Sequence, residues 1–185
     1  MTRTLVLGGA RSGKSAFAEG LACASGKEVV YLATARPGDA EMCARIAHHR
    51  RQRPPHWTTV EEPLALAAAL RQWCTPGRLV LIDCLTLWLS NLMFDDAVHY
   101  PDVGEIALPA RFIDERASLL HALSDASADV VLVSNEVGMG IVPYGAVSRR
   151  FADEAGRLNQ AVAQHCDHAV LLVAGLPLAL KGKPC

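Results

Sequence analysis

The sequence predicts an α/β domain built on a mainly parallel sheet, and three observations carry the prediction. Short apolar runs alternate along the chain with longer stretches of helical periodicity. The runs Leu79-Val80-Leu81-Ile82 and Val130-Val131-Leu132-Val133 are apolar at every position rather than every second one, as strands buried on both faces are. The first run, Thr4-Leu5-Val6-Leu7, leads directly into Gly8-Gly9-Ala10-Arg11-Ser12-Gly13-Lys14-Ser15, a glycine loop set between a strand and a helix.

The elements follow in order. A first strand covers about Leu5–Gly8, and a helix runs from Lys14 to about Ser25, where Gly26 suits a left-handed stop. Val29-Val30-Tyr31-Leu32 is β-branched and aromatic and forms the second strand, ending in Ala33-Thr34-Ala35. Pro37-Gly38-Asp39 turns the chain, Asp39 caps a helix from Ala40 to about Gln52, and Pro54-Pro55 ends it. An extended piece, His56–Glu61, precedes a helix expected to open at Glu62-Pro63 and run to Trp73. The buried strand Arg78–Asp83 is followed by helices at about Leu85–Phe94 and Leu108–Ser124, with the polar loop Asp95–Gly104 between them. Next come the strand at 130–133, a loop to Tyr144, a helix from Ser148 to His165 and a strand at Ala169–Val173. The last extended piece, Leu178–Leu180, is placed antiparallel at the sheet edge. This succession gives a three-layer, P-loop NTPase-like (RecA-like) fold in one domain spanning 1–185.

In such folds ligands sit beyond the carboxyl ends of the strands, so the glycine loop, Ala33-Thr34-Ala35, Asp83 and Asn135-Glu136 should converge on one cleft. In the loop, Gly8 and Gly13 stand where the backbone must turn its N–H groups inward around a phosphate, and the following helix adds its N-terminal dipole. Lys14 is placed to reach the β and γ phosphates, and the Ser15 hydroxyl to ligate Mg2+. Asp83, ending an apolar strand, is the carboxylate expected opposite Ser15 on that ion.

Composition narrows the alternatives. Half of the residues are hydrophobic and a fifth charged, enough apolar material for a sizeable core, and no apolar run approaches the length of a membrane span. The first strand begins within a few residues of Met1, so no signal peptide is expected. Six scattered cysteines without a CxxC pair fit reduced thiols in a cytoplasm. A net charge of −1 argues against a general nucleic-acid binder, although Arg45, Arg50, Arg51 and Arg53 form a local basic cluster.

That cluster surrounds two histidines. On a helix from 40 to 52, Met42, Cys43 and Ile46 form an apolar stripe expected to face the core, while His48 lies roughly 200° from Ile46 at 100° per residue. His48 therefore faces outward, beside Arg45, and flanking arginines disfavour its cationic form. A neutral imidazole there can attack an anionic phosphorus, with the arginines neutralising charge as it does so. A solvated helix face with two incidental histidines remains the plain alternative on residue chemistry alone. Further on, Glu136 opens a glycine-rich loop and, with Asp83, is a candidate general base.

With those residues identified, the chain resembles the bifunctional adenosylcobinamide kinase/adenosylcobinamide-phosphate guanylyltransferase family of cobalamin biosynthesis. The resemblance rests on Gly8–Ser15, Ala33-Thr34, Glu41-Met42 through Arg45-Ile46 to His48-His49, Arg53-Pro54 with His56-Trp57, Asn135–Pro143, and Gly156-Arg157 with Asn159-Gln160. It implies phosphorylation of the aminopropanol hydroxyl of adenosylcobinamide by GTP or ATP, then transfer of GMP from a second GTP with release of pyrophosphate. It implies that His48 is the guanylylated residue, and nucleotide contacts at Gly8–Ser15, Ala33, Thr34, Ala35, His49, Arg50, Arg51, Gln52, Glu61 and Asp83. It also implies a homotrimer whose neighbouring subunits help hold the corrinoid. A phosphate-loop kinase lacking guanylyl chemistry and a nucleotide-dependent nucleic-acid binder are the competing readings.

Overall fold

The computed structural model of the chain describes residues 1–38, 40–94, 100–101 and 103–182, the side chains at 41, 42, 45, 48, 49 and 52 excepted. Seven strands form one sheet in the order β3-β2-β4-β5-β1-β6-β7. They are β1 (Arg3–Gly8), β2 (Glu28–Ala33), β3 (Thr58–Glu61), β4 (Arg78–Asp83), β5 (Asp129–Asn135), β6 (His168–Val173) and β7 (Leu176–Lys181). All neighbouring pairs are parallel except β6 and β7. The helices are α1 (Lys14–Ala24), α2 (Ala40–Gln52), α3 (Leu66–Trp73), α4 (Leu85–Met93), α5 (Ala110–Ser124) and α6 (Ala146–His165).

The fully apolar strands are explained by two cores, one on each sheet face. Leu5, Val30, Leu32, Val80, Ile82, Val130 and Leu132 point toward α3, α4, α5 and α6 and pack with Leu70, Trp88, Phe112, Leu119 and Leu158. The alternate residues Val6, Val29, Tyr31, Leu79, Leu81, Val131 and Val133 face the other way, onto Ala18 and Ala22 of α1 and onto Trp57. This makes the expected three layers, with one helical layer thicker than the other.

The expected breaks hold at several ends and move at others. Gly26 has φ +65° just past α1, in the left-handed conformation its sequence position predicts. The edge hairpin is tighter than expected: Ala174 and Gly175, both at positive φ, connect β6 to a β7 that starts at Leu176 and tolerates Pro177 because it lies at the edge. The third helix does not open at Glu62-Pro63. Glu62 Oε1 instead accepts the backbone N–H groups of Leu64 and Ala65 at 2.9 and 2.7 Å, holding a turn that delays α3 to Leu66. The expected cap Asp39 and most of the loop 95–104 lie outside the described residues.

Candidate functional site

Five strand ends open into one cleft of about 770 Å³. Register places them. Ala33 of β2 lies level with Glu61 on one side and Asp83 on the other, while Gly8 of β1 lies level with Asn135 of β5. The cleft is lined by the glycine loop from Ala10 to Ser15 and by Ala33, Ala35, Glu61, Asp83 and Asn135, together with Ile46, Arg50 and Arg53 from α2 and the turn after it. The expected convergence is present for the glycine loop, Ala33, Ala35, Asp83 and Asn135, and α2 borders the same space.

The glycines shape the loop for different reasons. At Gly8 a Cβ would collide with the Ser12 hydroxyl and come within 2.8 Å of the Leu172 carbonyl oxygen on β6. Gly13 has φ +94° and would also press on Gly175 Cα, 3.2 Å from its Cβ position. The hairpin tip supports the loop directly: the Gly175 N–H donates to the Ser12 carbonyl at 2.9 Å. Lys14 Nζ donates to the Gly9 carbonyl at 3.1 Å, so the ammonium lies over the loop that the sequence assigns to phosphate.

Asp83 is held from below. The Tyr31 hydroxyl donates to Asp83 Oδ2 at 2.8 Å, and the Arg53 guanidinium lies 3.5 Å from the Tyr31 ring centroid. Burial, and then the nearby Asp83 charge, push the Tyr31 phenol well above its usual range. Glu19 lines the same wall with Oε1 buried and unpaired among the described residues; burial and then Asp83 raise its carboxyl, and Arg53 offsets part of that. At the mouth, Arg50 pairs with Glu61 at 2.6 Å, both side chains about half exposed. Ser15 and Asp83 supply a hydroxyl and a carboxylate to one cleft, hard oxygen donors of the kind Mg2+ takes.

Other anticipated residues stand elsewhere. Thr34 is fully buried, its Oγ1 accepting from the Cys84 N–H at 2.8 Å and donating to the Cys84 carbonyl at 2.7 Å, so its side chain braces β2 against the end of β4. Gly8 and Gly9 set the loop's backbone without lining the cleft, and Arg51 lies in an adjoining shallow depression that shares Ile46 and Arg50 with the cleft. Glu136 Oε1 accepts the Gly138 N–H at 2.8 Å within its own loop and is not among the cleft residues, leaving Asp83 as the one of the two base candidates that lines it. Of the apolar stripe expected on α2, Cys43 is exposed and Ile46 lines the cleft, while the side chain of Met42 lies outside those described. The side chains of His48, His49 and Gln52 lie outside those described, although their backbone belongs to α2. Among the cleft residues missed in the sequence are Glu19 and Tyr31. Both had signals: Glu19 is four positions past Ser15 on one helix face, and Tyr31 shares a strand face with Ala33.

Comparison with known proteins gives the family. The model of the family described as cobinamide kinase / cobinamide phosphate guanyltransferase matches residues 4–180. A bifunctional adenosylcobalamin biosynthesis protein CobP of Pseudomonas aeruginosa is 53% identical over 182 residues, covering 98% of this chain and 99% of that protein. CobU of Escherichia coli, also named a bifunctional adenosylcobalamin biosynthesis protein, is 43% identical over 96% of this chain and 98% of its own. Among solved structures, the type III secretion ATPase EscN of enteropathogenic E. coli superposes with a TM-score of 0.55 at 14% identity, over 94% of this chain and 43% of that one. The ATP synthase subunit NeqB of Nanoarchaeum equitans gives 0.54 at 12%, over 92% of this chain and 46% of its own. Those two likenesses show the P-loop fold alone. The family match spans every strand and the whole cleft, and the chain belongs to the cobinamide kinase / cobinamide phosphate guanyltransferase family, as a kinase and nucleotidyltransferase of cobalamin biosynthesis.

Proposed function

We propose that one domain, residues 1–185, runs both reactions in the cytoplasm: phosphorylation of the aminopropanol hydroxyl of adenosylcobinamide by GTP or ATP, then guanylylation of the product by GTP to give adenosylcobinamide-GDP and pyrophosphate. The observation that carries the reading is that the phosphate loop and Asp83 share a cleft with Arg50 and Arg53, which follow His48 by two and five residues along the chain. In the kinase step the loop's N–H groups and Lys14 hold the triphosphate and stabilise charge on the transferring phosphoryl group, and Asp83 is the base candidate facing the substrate hydroxyl. Mg2+, held by Ser15 and Asp83, would neutralise charge on the β and γ oxygens.

In the second reaction His48 attacks the α-phosphorus of GTP, pyrophosphate leaves, and the phosphate of adenosylcobinamide-phosphate displaces the histidine. Arg50 and Arg53 border the cleft where the leaving charge develops. The corrinoid is the small-molecule partner and a homotrimer the assembly. Exposed Leu176, Leu178 and Leu180, alternating along edge strand β7, offer an apolar face for subunit contact. Nucleic acid is not a partner on this reading.

Retention of label tests the assignment. Protein incubated with GTP labelled at the α-phosphate and then denatured should keep acid-labile, alkali-stable GMP, and His48→Ala should keep none. Equal labelling of the alanine variant would remove His48 as the nucleophile. Absence of label in a parent protein that still phosphorylates adenosylcobinamide would leave a kinase alone.

A further inference from the structure

The loop leaving β5 is unusual in its surface. Within eight positions, 137–144, it turns five large apolar side chains outward: Val137, Met139, Ile141, Val142 and Tyr144, with Ile141 and Tyr144 98% and 100% exposed. Soluble proteins scatter exposed apolar residues singly, and a cluster of this kind marks a binding surface. The segment is not a loose tail. Its base is tied to the phosphate loop by the Glu136 N–H, which donates to the Gly8 carbonyl at 3.1 Å, and Glu136 Oε1 accepts the Gly138 N–H. At the far end the Arg149 guanidinium donates to the carbonyls of Pro143, at 3.0 Å, and Tyr144. Asn159 Nδ2 donates to the Asn135 carbonyl at 3.2 Å and holds the strand end from α6. The backbone is anchored while its apolar side chains face water.

Sheet order says what lies next to it. β5 stands between β1, which carries the phosphate loop, and β4, which carries Asp83. The loop therefore emerges between the two halves of the phosphoryl-transfer site, continuous with Asn135 in the cleft wall. On the β2–β3 side of the sheet the cleft is lined by charged groups, Arg50, Arg53 and Glu61. The charged lining suits phosphates, and the exposed apolar loop suits an apolar body. A corrin macrocycle is larger than the nucleotide beside it, and its reacting hydroxyl hangs on a side chain. That hydroxyl must enter as far as the terminal phosphate at Lys14, while the ring, with its methyl-bearing edge, stays at the mouth.

We propose that residues 137–144 are the corrinoid seat, with Met139, Ile141 and Tyr144 supporting the apolar edge of the macrocycle while its aminopropanol arm reaches into the cleft. The proposal rests on the corrinoid-kinase reading above. Its test measures adenosylcobinamide binding by equilibrium dialysis, read from the corrinoid's visible absorbance, for the parent and for Ile141→Asn, Tyr144→Asn and the double variant. In the same preparations the Kd of a fluorescent methylanthraniloyl-GTP and the mass by light scattering are recorded. The double variant should lose roughly tenfold or more in corrinoid affinity, the scale of removing two buried apolar contacts, with the loss appearing in the KM for the corrinoid. Nucleotide affinity should stay within about twofold, as expected of surface changes that leave the fold intact, and the mass should match the parent's. Unchanged corrinoid affinity in the double variant would overturn the proposal. So would a fall in mass with corrinoid affinity restored at high protein concentration, which would make the loop a contact with a second copy. A parent that binds no adenosylcobinamide would overturn the substrate reading itself, and this proposal with it.

Discussion

Alanine at Gly8 adds one methyl group where two atoms already stand. The Ser12 hydroxyl can rotate away, but the Leu172 carbonyl oxygen, 2.8 Å from the new carbon, belongs to the β6 backbone and is fixed by the β1–β6 ladder. Relief requires moving either the strand or the loop, and overpacking of this kind costs about 1–3 kcal/mol. Gly13→Ala meets a different obstacle. Its φ of +94° is unfavourable for a residue with a Cβ by about 1–2 kcal/mol, and the methyl also presses on Gly175. Gly9→Ala meets nothing within 4 Å and should stay within about 0.5 kcal/mol of the parent. Urea unfolding of the three variants measures the order directly, and in a chain of this size each kcal/mol corresponds to roughly 2–4 °C in Tm. Titration with fluorescent GTP reads the second consequence, since displacement of the loop at Gly8 or Gly13 should weaken nucleotide binding. The reasoning fails if Gly8→Ala is as stable as the parent, or if Gly9→Ala is as damaging as Gly8→Ala.

Three further outcomes follow from buried polar groups. Thr34→Val leaves the Cys84 N–H and carbonyl without their buried partner and should destabilise by about 2–4 kcal/mol in denaturant unfolding; a loss below about 1 kcal/mol would contradict the bracing role. Glu154, buried in α6, pairs with Arg157 at 2.5 Å, Arg150 at 3.5 Å and Arg116 at 3.7 Å. Because the arginines retain solvent access, Glu154→Gln should cost about 1–3 kcal/mol rather than the larger loss of a fully buried pair, and equal stability of variant and parent would refute this. Glu19 has its carboxyl raised by burial and then by Asp83, so the native state holds that proton more tightly than the unfolded chain. Its contribution falls as pH rises from 4.5 through the raised value and stays lower above it, so Glu19→Gln should melt above the parent at neutral pH and equal it below 4.5; a parent that melts higher at neutral pH would reverse the sign.

How much of this was legible in the chain depends on the range of the interactions. The phosphate loop was readable because its chemistry lies in eight consecutive residues, and the buried strands because an unbroken apolar run has few other solutions. Glu62 misled the reading of α3, since a glutamate before proline looks like a helix start until its carboxylate is seen to take the two N–H groups that follow. Tyr31 and Glu19 offered only the signal of a shared helix or strand face, too little to mark them as site residues. Their roles come from Asp83, 52 residues from Tyr31 along the chain; the pairing of β2 with β4 brings Tyr31 to it, and the packing of α1 on the sheet brings Glu19. Thr34 was read as a nucleotide contact from its place in a shared motif, yet its hydroxyl is spent on Cys84, again a partner known only from the sheet. At Cys43 and Ile46 the apolar stripe on α2 failed as a core signal because that helix borders an opening.

The order of the strands also bears on how the protein is made. β1 is synthesised first, but its neighbours in the sheet are β5 and β6, which leave the ribosome only after more than a hundred further residues. Until then both edges of the phosphate-loop strand are unpaired, and the hairpin tip that supports the loop through Gly175 does not yet exist. Nucleotide therefore cannot assist the folding of the nascent N-terminal half. Closure of the sheet is a late, long-range event, slow by topology and exposed to aggregation while it waits. A chain released before residue 168 would carry the whole phosphate-loop sequence without the strand and hairpin tip that support it.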